Sequence, residues 1–437
     1  MRRLFEIPWF TRKWVIQEVA LSRRDPIILH GPYRYPRYKI SWAAAWLRRS
    51  GYVRLAHVPN QLLNVVAMSY IRRSQNPWPL NALLCLTSIK FQATDPRDKV
   101  YGLLGLASET QNLTHEFDAL YLDYQLDVIE VYRRVTLFLV KRYRNLSTLT
   151  RTNVLGEGLA QRQRKYSWDQ RPSWVADWSD FTVNESQVAK TLSWLFHSIN
   201  TDIGSLGFPE HYNASGGLPV QLHESTDVST LRLTGIWVDT VTNTVQFNDP
   251  NETDTENDII CPILRFYKIA APLLSGCDAK MWIVSFIKTT TAEHHILGGW
   301  TDEQILKDGS AYLLNILSSN GHLVTDFITP ARASEFIDLL RSQSTGASPD
   351  TFAALSQNFY FQRSFFVTSK GRMGIGPPAT RFGDDVAILF GGGVPYILRK
   401  EENSSMFIGE SYIHGLMKGE EVQSLQSVRV PDIIELK

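Results

Sequence analysis

The sequence predicts an α+β fold with three parts: a mainly helical front, a helical middle, and a small C-terminal β-barrel that carries a helical insertion. Three observations predict it. Residues 1 to about 170 place apolar side chains at helical spacing, with one short strand among them. From Arg363 onward, short β-branched and aromatic runs alternate with Gly, Pro and Asn turns. Residues 256–345 return to helical spacing between strand-like flanks, which is the pattern of an insertion.

In chain order, Thr11 is a candidate N-cap, and the run Arg12 to Ser22 holds no Gly or Pro until Arg24-Asp25-Pro26 stops it. Ile27 to Leu29 reads as a strand running into Gly31-Pro32, and Ser41 to Leu47 as a helix. In "TDPRDKVYGLLGLA", residues 94–107, Asp95 is a good N-cap, Pro96 takes the first helical position and Asp98 lies in the first turn. Gly102 and Gly105 weaken that helix, so they imply close packing or an early end. Asp127 caps the next helix, whose broad apolar stripe is Val128, Val131, Tyr132, Val135, Phe138 and Leu139. Leu231 to Phe247 alternates and reads as strands, which need partners in the distant C-terminal barrel. The expected domains are 1–55, 56–170 and 171–437, with the insertion at 256–345 in the last.

Composition removes several function classes. The chain has 437 residues, 45 Lys+Arg and 44 Asp+Glu, so no overall field recruits a polyanion and nucleic acid is not an expected partner. Cys85, Cys261 and Cys277 are too few and too far apart for a disulfide framework or a paired-cysteine zinc site. No metal or cofactor is expected. The N-terminus lacks a signal-peptide pattern and no apolar run is long enough to span a bilayer. A cytoplasmic setting is therefore expected, and the Asn112, Asn145 and Asn213 triplets are read as chance glycosylation matches.

Four motifs bear on chemistry. Trp14 and Glu18, in "KWVIQE", stand at i and i+4 on one helical face. An indole beside a carboxylate excludes water and raises the acid's pKa, which suits stabilisation of a cationic sugar. A core tryptophan near a surface glutamate is the commoner meaning of that pattern. In "DPRDK", Arg97 could bind phosphate and Asp98 act as a base, but helix capping explains every position. "LFGGGVPY", residues 389–396, lacks the following helix that a phosphate loop needs, so a hairpin or bulge is expected. Glu293 with His294 and His295, and His414 in "YIHGLM", could supply a base, although a structural histidine is commoner.

Five blocks in order, "PWFTRKWVIQEVAL", "ATDPRDKVYGLLGLA", "LDYQLDVIEVYRRVT", "RPSWVADWSD" and "FFVTSKGRMGIGPPATRFGDDVAILFGGGVPYILRK…FIGESYIHGLMKGE", resemble fungal heterokaryon-incompatibility (HET) domain proteins. The resemblance covers most of the chain outside residues 180–360. It implies a role in self/non-self discrimination that is linked to programmed cell death. It also implies a likeness to TIR domains, which are flavodoxin-like, and some of which cleave NAD with a glutamate four residues after a tryptophan. Glu18 and Trp14 match that spacing, so they are the candidate catalytic residues, with NAD as substrate. HET domains begin with blocks like "ALSYxWG" and "WIDxxCINQ" ahead of this helix, and neither is present here; His30 also stands where a cysteine is expected. The front is therefore expected to be an incomplete TIR-like remnant without intact catalysis. The resulting expectation is a bared apolar surface at Trp9, Phe10, Trp14 and Val15, covered by self-association or a protein partner. A third possibility is a HET-like scaffold recruited as an enzyme of secondary metabolism through an unrelated pocket.

Overall fold

The computed structural model describes residues 2–49, 61–74, 76–87, 91–111, 120–151, 171–178, 212–246, 262–293, 299–318, 322–360, 363–425 and 430–437. They divide into two compact units. The first comprises the described residues up to Tyr143 together with 175–178; the second comprises the rest. Cys261, His294, His295, Asn112 and the side chain of Cys85 lie outside the described residues.

The first unit opens with α1 (Arg2–Phe5), a 3-10 turn (Pro8–Thr11) and α2 (Val15–Ala20). The predicted helix from Arg12 loses its first turn. Lys13 N–H bonds Gln92 O at 2.8 Å and Gln92 N–H bonds Thr11 O, which draws residues 11–13 into extended pairing. The Thr11 hydroxyl turns back to Pro8 O at 2.7 Å and caps nothing ahead of it. Arg72 closes the other end of α2, donating to the carbonyl of Ser22 at 2.7 Å. Next comes a hairpin, β1 (Ile27–His30) with β2 (Tyr33–Pro36), whose turn holds Gly31 at φ +57. α3 (Arg37–Arg49) starts four residues before the expected Ser41, because the Arg37 guanidinium bonds Asp25 at 2.7 Å and Ser41 at 3.0 Å. α4 (Gln61–Arg73), α5 (Leu80–Thr87), α6 (Asp98–Leu104), α7 (Ser108–Gln111) and α8 (Val128–Tyr143) complete the unit.

The expected bare N-terminal surface is corrected. Phe10 and Val15 are fully buried, and Asn64 of α4 donates to the Phe10 carbonyl at 2.9 Å. α4 packs on both α2 and the 3-10 turn, so the helical middle supplies the cover expected from missing strands or a partner. Val131, Tyr132, Val135 and Leu139 of α8 are buried, as their spacing requires. Among the described residues of this unit, the one sheet is the antiparallel β1–β2 pair.

The second unit is organised by one long strand. β3 (Leu222–His223) pairs with β4 (Leu231–Gln246), a single strand where the sequence suggested several. Register shifts at Trp237/Asp239 and Val241/Asn243 bend β4 so that it serves two sheets. Beyond it come α9 (Pro262–Ala270), α10 (Ala279–Thr291), α11 (Asp302–Ser318), α12 (His322–Thr325), α13 (Pro330–Gln343) and α14 (Pro349–Tyr360). The insertion thus runs past 345 to Tyr360, since Phe352 and Tyr360 join its core. The tail supplies β5 (Ser364–Thr368), β6 (Met373–Gly376), β7 (Asp385–Leu389), β8 (Tyr396–Lys400), β9 (Ser405–Glu410), β10 (Tyr412–Ile413), α15 (Glu420–Leu425) and β11 (Asp432–Leu436).

The first half of β4 closes a barrel in the order β4–β11–β9–β8–β7, with β7 returning to β4. Ile236, Val238, Ile388, Ile397 and Ile408 fill its side of the core. The second half of β4 pairs with β5, followed by β6 and β10. On that sheet the inserted helices bury Phe266 and Phe286 against Phe365, with Trp282 stacked on Phe286. The triple glycine links β7 to β8 with no helix behind it, so it is a strand connection. Gly391 has φ +82, and a Cβ there would lie 2.7 Å from Val220 N. Among the described residues no helix is long and apolar enough to cross a membrane.

Candidate functional site

The structure joins two of the motifs read from the sequence. Trp14 sits at the start of α2, and its indole N–H donates to Asp98 Oδ2 at 2.9 Å. Asp98 also accepts from the Tyr124 hydroxyl at 2.6 Å. The glycines of α6 permit the approach: a Cβ on Gly102 would stand 3.1 Å from Lys13 Cγ, and one on Gly105 would stand 3.1 Å from Gln17 Oε1. Gly105 also ends α6, so both meanings of the glycine pair hold.

Glu18 lies one turn along from Trp14, its N–H donating to Trp14 O at 3.2 Å. Its side chain is exposed. The indole that would shield it is turned toward Asp98.

The rest of "DPRDK" is committed to structure. Asp95 Oδ1 accepts the Arg97 backbone N–H at 2.9 Å, but α6 starts only at Asp98 with Arg97 at its N-cap, so the expected cap at Asp95 and first helical position at Pro96 fall in the turn ahead of the helix. The Arg97 guanidinium grips the same carboxylate and also donates to the carbonyls of Tyr124, at 2.5 Å, and Leu126, at 2.9 Å. The hydrogen bond from Arg97 holds the Asp95 carboxyl below its ordinary range and raises the guanidinium in turn. Partial burial and the bond to Asp98 push the Tyr124 phenol up. Arg97 therefore fixes the 123–126 loop and has no fork to offer a phosphate.

Beneath this cluster lies a residue the sequence reading missed. Lys13 is fully buried, and its ammonium donates to the Thr87 hydroxyl. Burial, reinforced by nearby Lys99, drives its pKa well below the ordinary value. No spacing rule marks a lysine beside Trp14 as internal; its partner lies 74 residues away.

In the second unit the structure draws two histidine-linked candidates into electrostatic range. Glu293 is buried at φ +52 just past α10 and pairs with Lys288 at 2.9 Å. His414, after β10, is half-buried; burial lowers its pKa while Glu293 opposes that shift. At the barrel rim an open polar cleft of about 540 Å³ is lined by Glu224, Asp227, Arg232, Glu435 and Lys437 among others. Several of its polar groups are already engaged: Arg232 bonds Glu435 at 2.9 Å, and Asp227 holds the hydroxyls of Ser229 and Thr230. Among the described residues no three metal-ligating side chains converge.

Comparison with known proteins places the second unit. Residues 339–427 match the Het-6 beta-barrel domain. In this the chain is similar to fungal heterokaryon-incompatibility (HET) proteins. It is 23% identical over 368 residues to "Heterokaryon incompatibility protein 6, OR allele" of Neurospora crassa, covering 75% of this chain and 49% of that protein. The chain thus spans about half the length of the curated relative it matches. No solved structure matches it. The matched segment contains the barrel strands β7, β8 and β9, while β4 and β11, which close the barrel, lie outside it.

Proposed function

We propose that this protein is a recognition or regulatory component of fungal vegetative incompatibility, one that couples self/non-self discrimination to growth arrest and cell death through binding and not through turnover. The observation that carries the proposal is the closed barrel, built on the segment that matches the Het-6 beta-barrel domain. The name of the Neurospora crassa relative supports the same biology. The geometry around Trp14 supports the absence of turnover. The Glu18 carboxylate is exposed, with no dry wall to enclose a ligand, and the indole beside it is spent on Asp98.

A second reading, a TIR-like NAD hydrolase that uses Glu18, keeps one supporting observation: Trp14 and Glu18 share a single helical turn. NAD turnover by folded wild type, abolished in Glu18→Gln, establishes that reading and removes the first. The binding proposal expects no turnover in either protein. It also expects that expression in an incompatible fungal strain arrests growth equally with wild type and Glu18→Gln. Unimpaired growth with both, at verified protein levels, defeats the incompatibility role.

A further inference from the structure

We propose that the β1–β2 hairpin and α3 form a docking face for an anionic lipid surface, on which the first unit lies without crossing the bilayer. The apolar face of α3 toward its own unit is ordinary: Ile40, Ser41 and Ala44 are buried, at i, i+1 and i+4. The opposite stripe is not. Tyr38, Trp42 and Trp46 recur every fourth residue and are 52%, 67% and 50% exposed. The hairpin adds Ile27 at 61% and Leu29 at 68%, alternate residues that share one face of β1. α3 follows β2 with no loop, and its start is fastened to the hairpin base by Arg37 N–H to Pro26 O and Tyr38 N–H to Asp25 Oδ2, both 2.9 Å. The two apolar sets therefore form one body.

Charge selects the occupant. Residues 22–49 carry seven Lys or Arg against one Asp, a net +6 in a chain of net +1. That Asp, Asp25, is already engaged by Arg37 at 2.7 Å. Arg23, Arg24, Arg34 and Lys39 are exposed around the apolar residues. Tryptophan and tyrosine flanked by cations are the side chains that settle at the headgroup level of a bilayer, and cations gain further from acidic lipid. A second copy of the same face brings like charge onto like charge. A single-stranded nucleic acid stacks on aromatic rings but gains nothing from exposed Ile27 and Leu29.

The test uses the full chain with sedimenting vesicles of phosphatidylcholine alone or with 30% phosphatidylserine. The expected result is binding to the serine-lipid vesicles only, weakened by salt and reduced at least tenfold in Trp42→Ala/Trp46→Ala. The Arg34→Glu/Lys39→Glu variant loses the lipid preference in the same way. Circular dichroism of each variant keeps a folding failure distinct from a docking failure. The proposal is overturned if folded wild type ignores the acidic vesicles at low salt, or if the tryptophan variant binds as well as wild type. It is also overturned if size-exclusion chromatography shows a dimer that the same variant dissolves, or if the face instead binds single-stranded RNA.

Discussion

Arg363, just ahead of β5, and Glu410, at the end of β9, form an ion pair inside the second unit, Nη2 to Oε1 at 2.9 Å, with Glu410 wholly buried. Burial pulls the guanidinium's pKa down, opposed by the carboxylate. The pair ties the sheet of β5 to the barrel strand β9, which the inserted helices separate from β4 in sequence.

Removing one partner leaves an uncompensated buried charge. Glu410→Ala is expected to destabilise the second unit by about 3–5 kcal/mol, while Arg363→Met/Glu410→Leu recovers most of the loss. Denaturant unfolding of the two variants checks both. Equal destabilisation by single and double changes argues against the pair as the cause.

Gly235 stands where β4 passes from its pairing with β11 to its pairing with β7. A Cβ there would lie 2.9 Å from the Ile388 carbonyl oxygen and as close to side chains of Ile434 and Leu389. Gly235→Ala is expected to cost about 1–3 kcal/mol by forcing apart strands that close the barrel. Gly276→Ala meets nothing nearer than 3.9 Å and is expected to stay within about 0.5 kcal/mol. Thermal unfolding that ranks the two the other way refutes the assignment of Gly235 to the closure point.

The Trp14–Asp98–Tyr124 contacts predict coupling. Trp14→Phe and Tyr124→Phe each remove one hydrogen bond to Asp98, costing about 1 kcal/mol apiece. Their double-mutant cycle should show at least about 0.5 kcal/mol of interaction, because both act through one carboxylate. Strict additivity speaks against a shared acceptor.

How much of this was legible follows from what each residue answers to. The tail strands were readable because alternation and Gly-Pro turns are local, and β4 could be joined to them because an unpaired strand needs an edge. β11 was not: "DIIEL" is short, has two acidic residues in five and takes its place from β4 and β9. The local bond of Asp95 to the Arg97 N–H in "DPRDK" was readable from spacing, but Asp98 accepts from Trp14, 84 residues away, which has no local sign. The lost first turn of α2 depends on Gln92, and the cover over Phe10 on Asn64 of α4. Both corrections are cases of tertiary pairing overriding a sound local preference.

Lys13 gives a pH dependence with a definite sign. The unfolded chain holds this proton up to about the ordinary value of 10.5, whereas the folded protein, through burial and nearby Lys99, releases it at a much lower pH. Between those two values unfolding takes up a proton, so stability rises with pH across that window; below it, the full cost of the buried charge is present. Each unit of separation is worth about 1.4 kcal/mol. Lys13→Met removes the titration and leaves the Thr87 hydroxyl donating to Leu83 O at 2.6 Å. The variant is therefore expected to be the more stable protein at neutral pH, with an advantage that shrinks toward pH 10. The phenols whose pKa burial raises, among them Tyr212 and Tyr412, lose stability at the alkaline end in both proteins and cancel in the difference. Urea midpoints for wild type and variant at unit steps of pH measure that difference directly. A difference that stays flat from pH 7 to 10 means Lys13 reaches water in the folded protein.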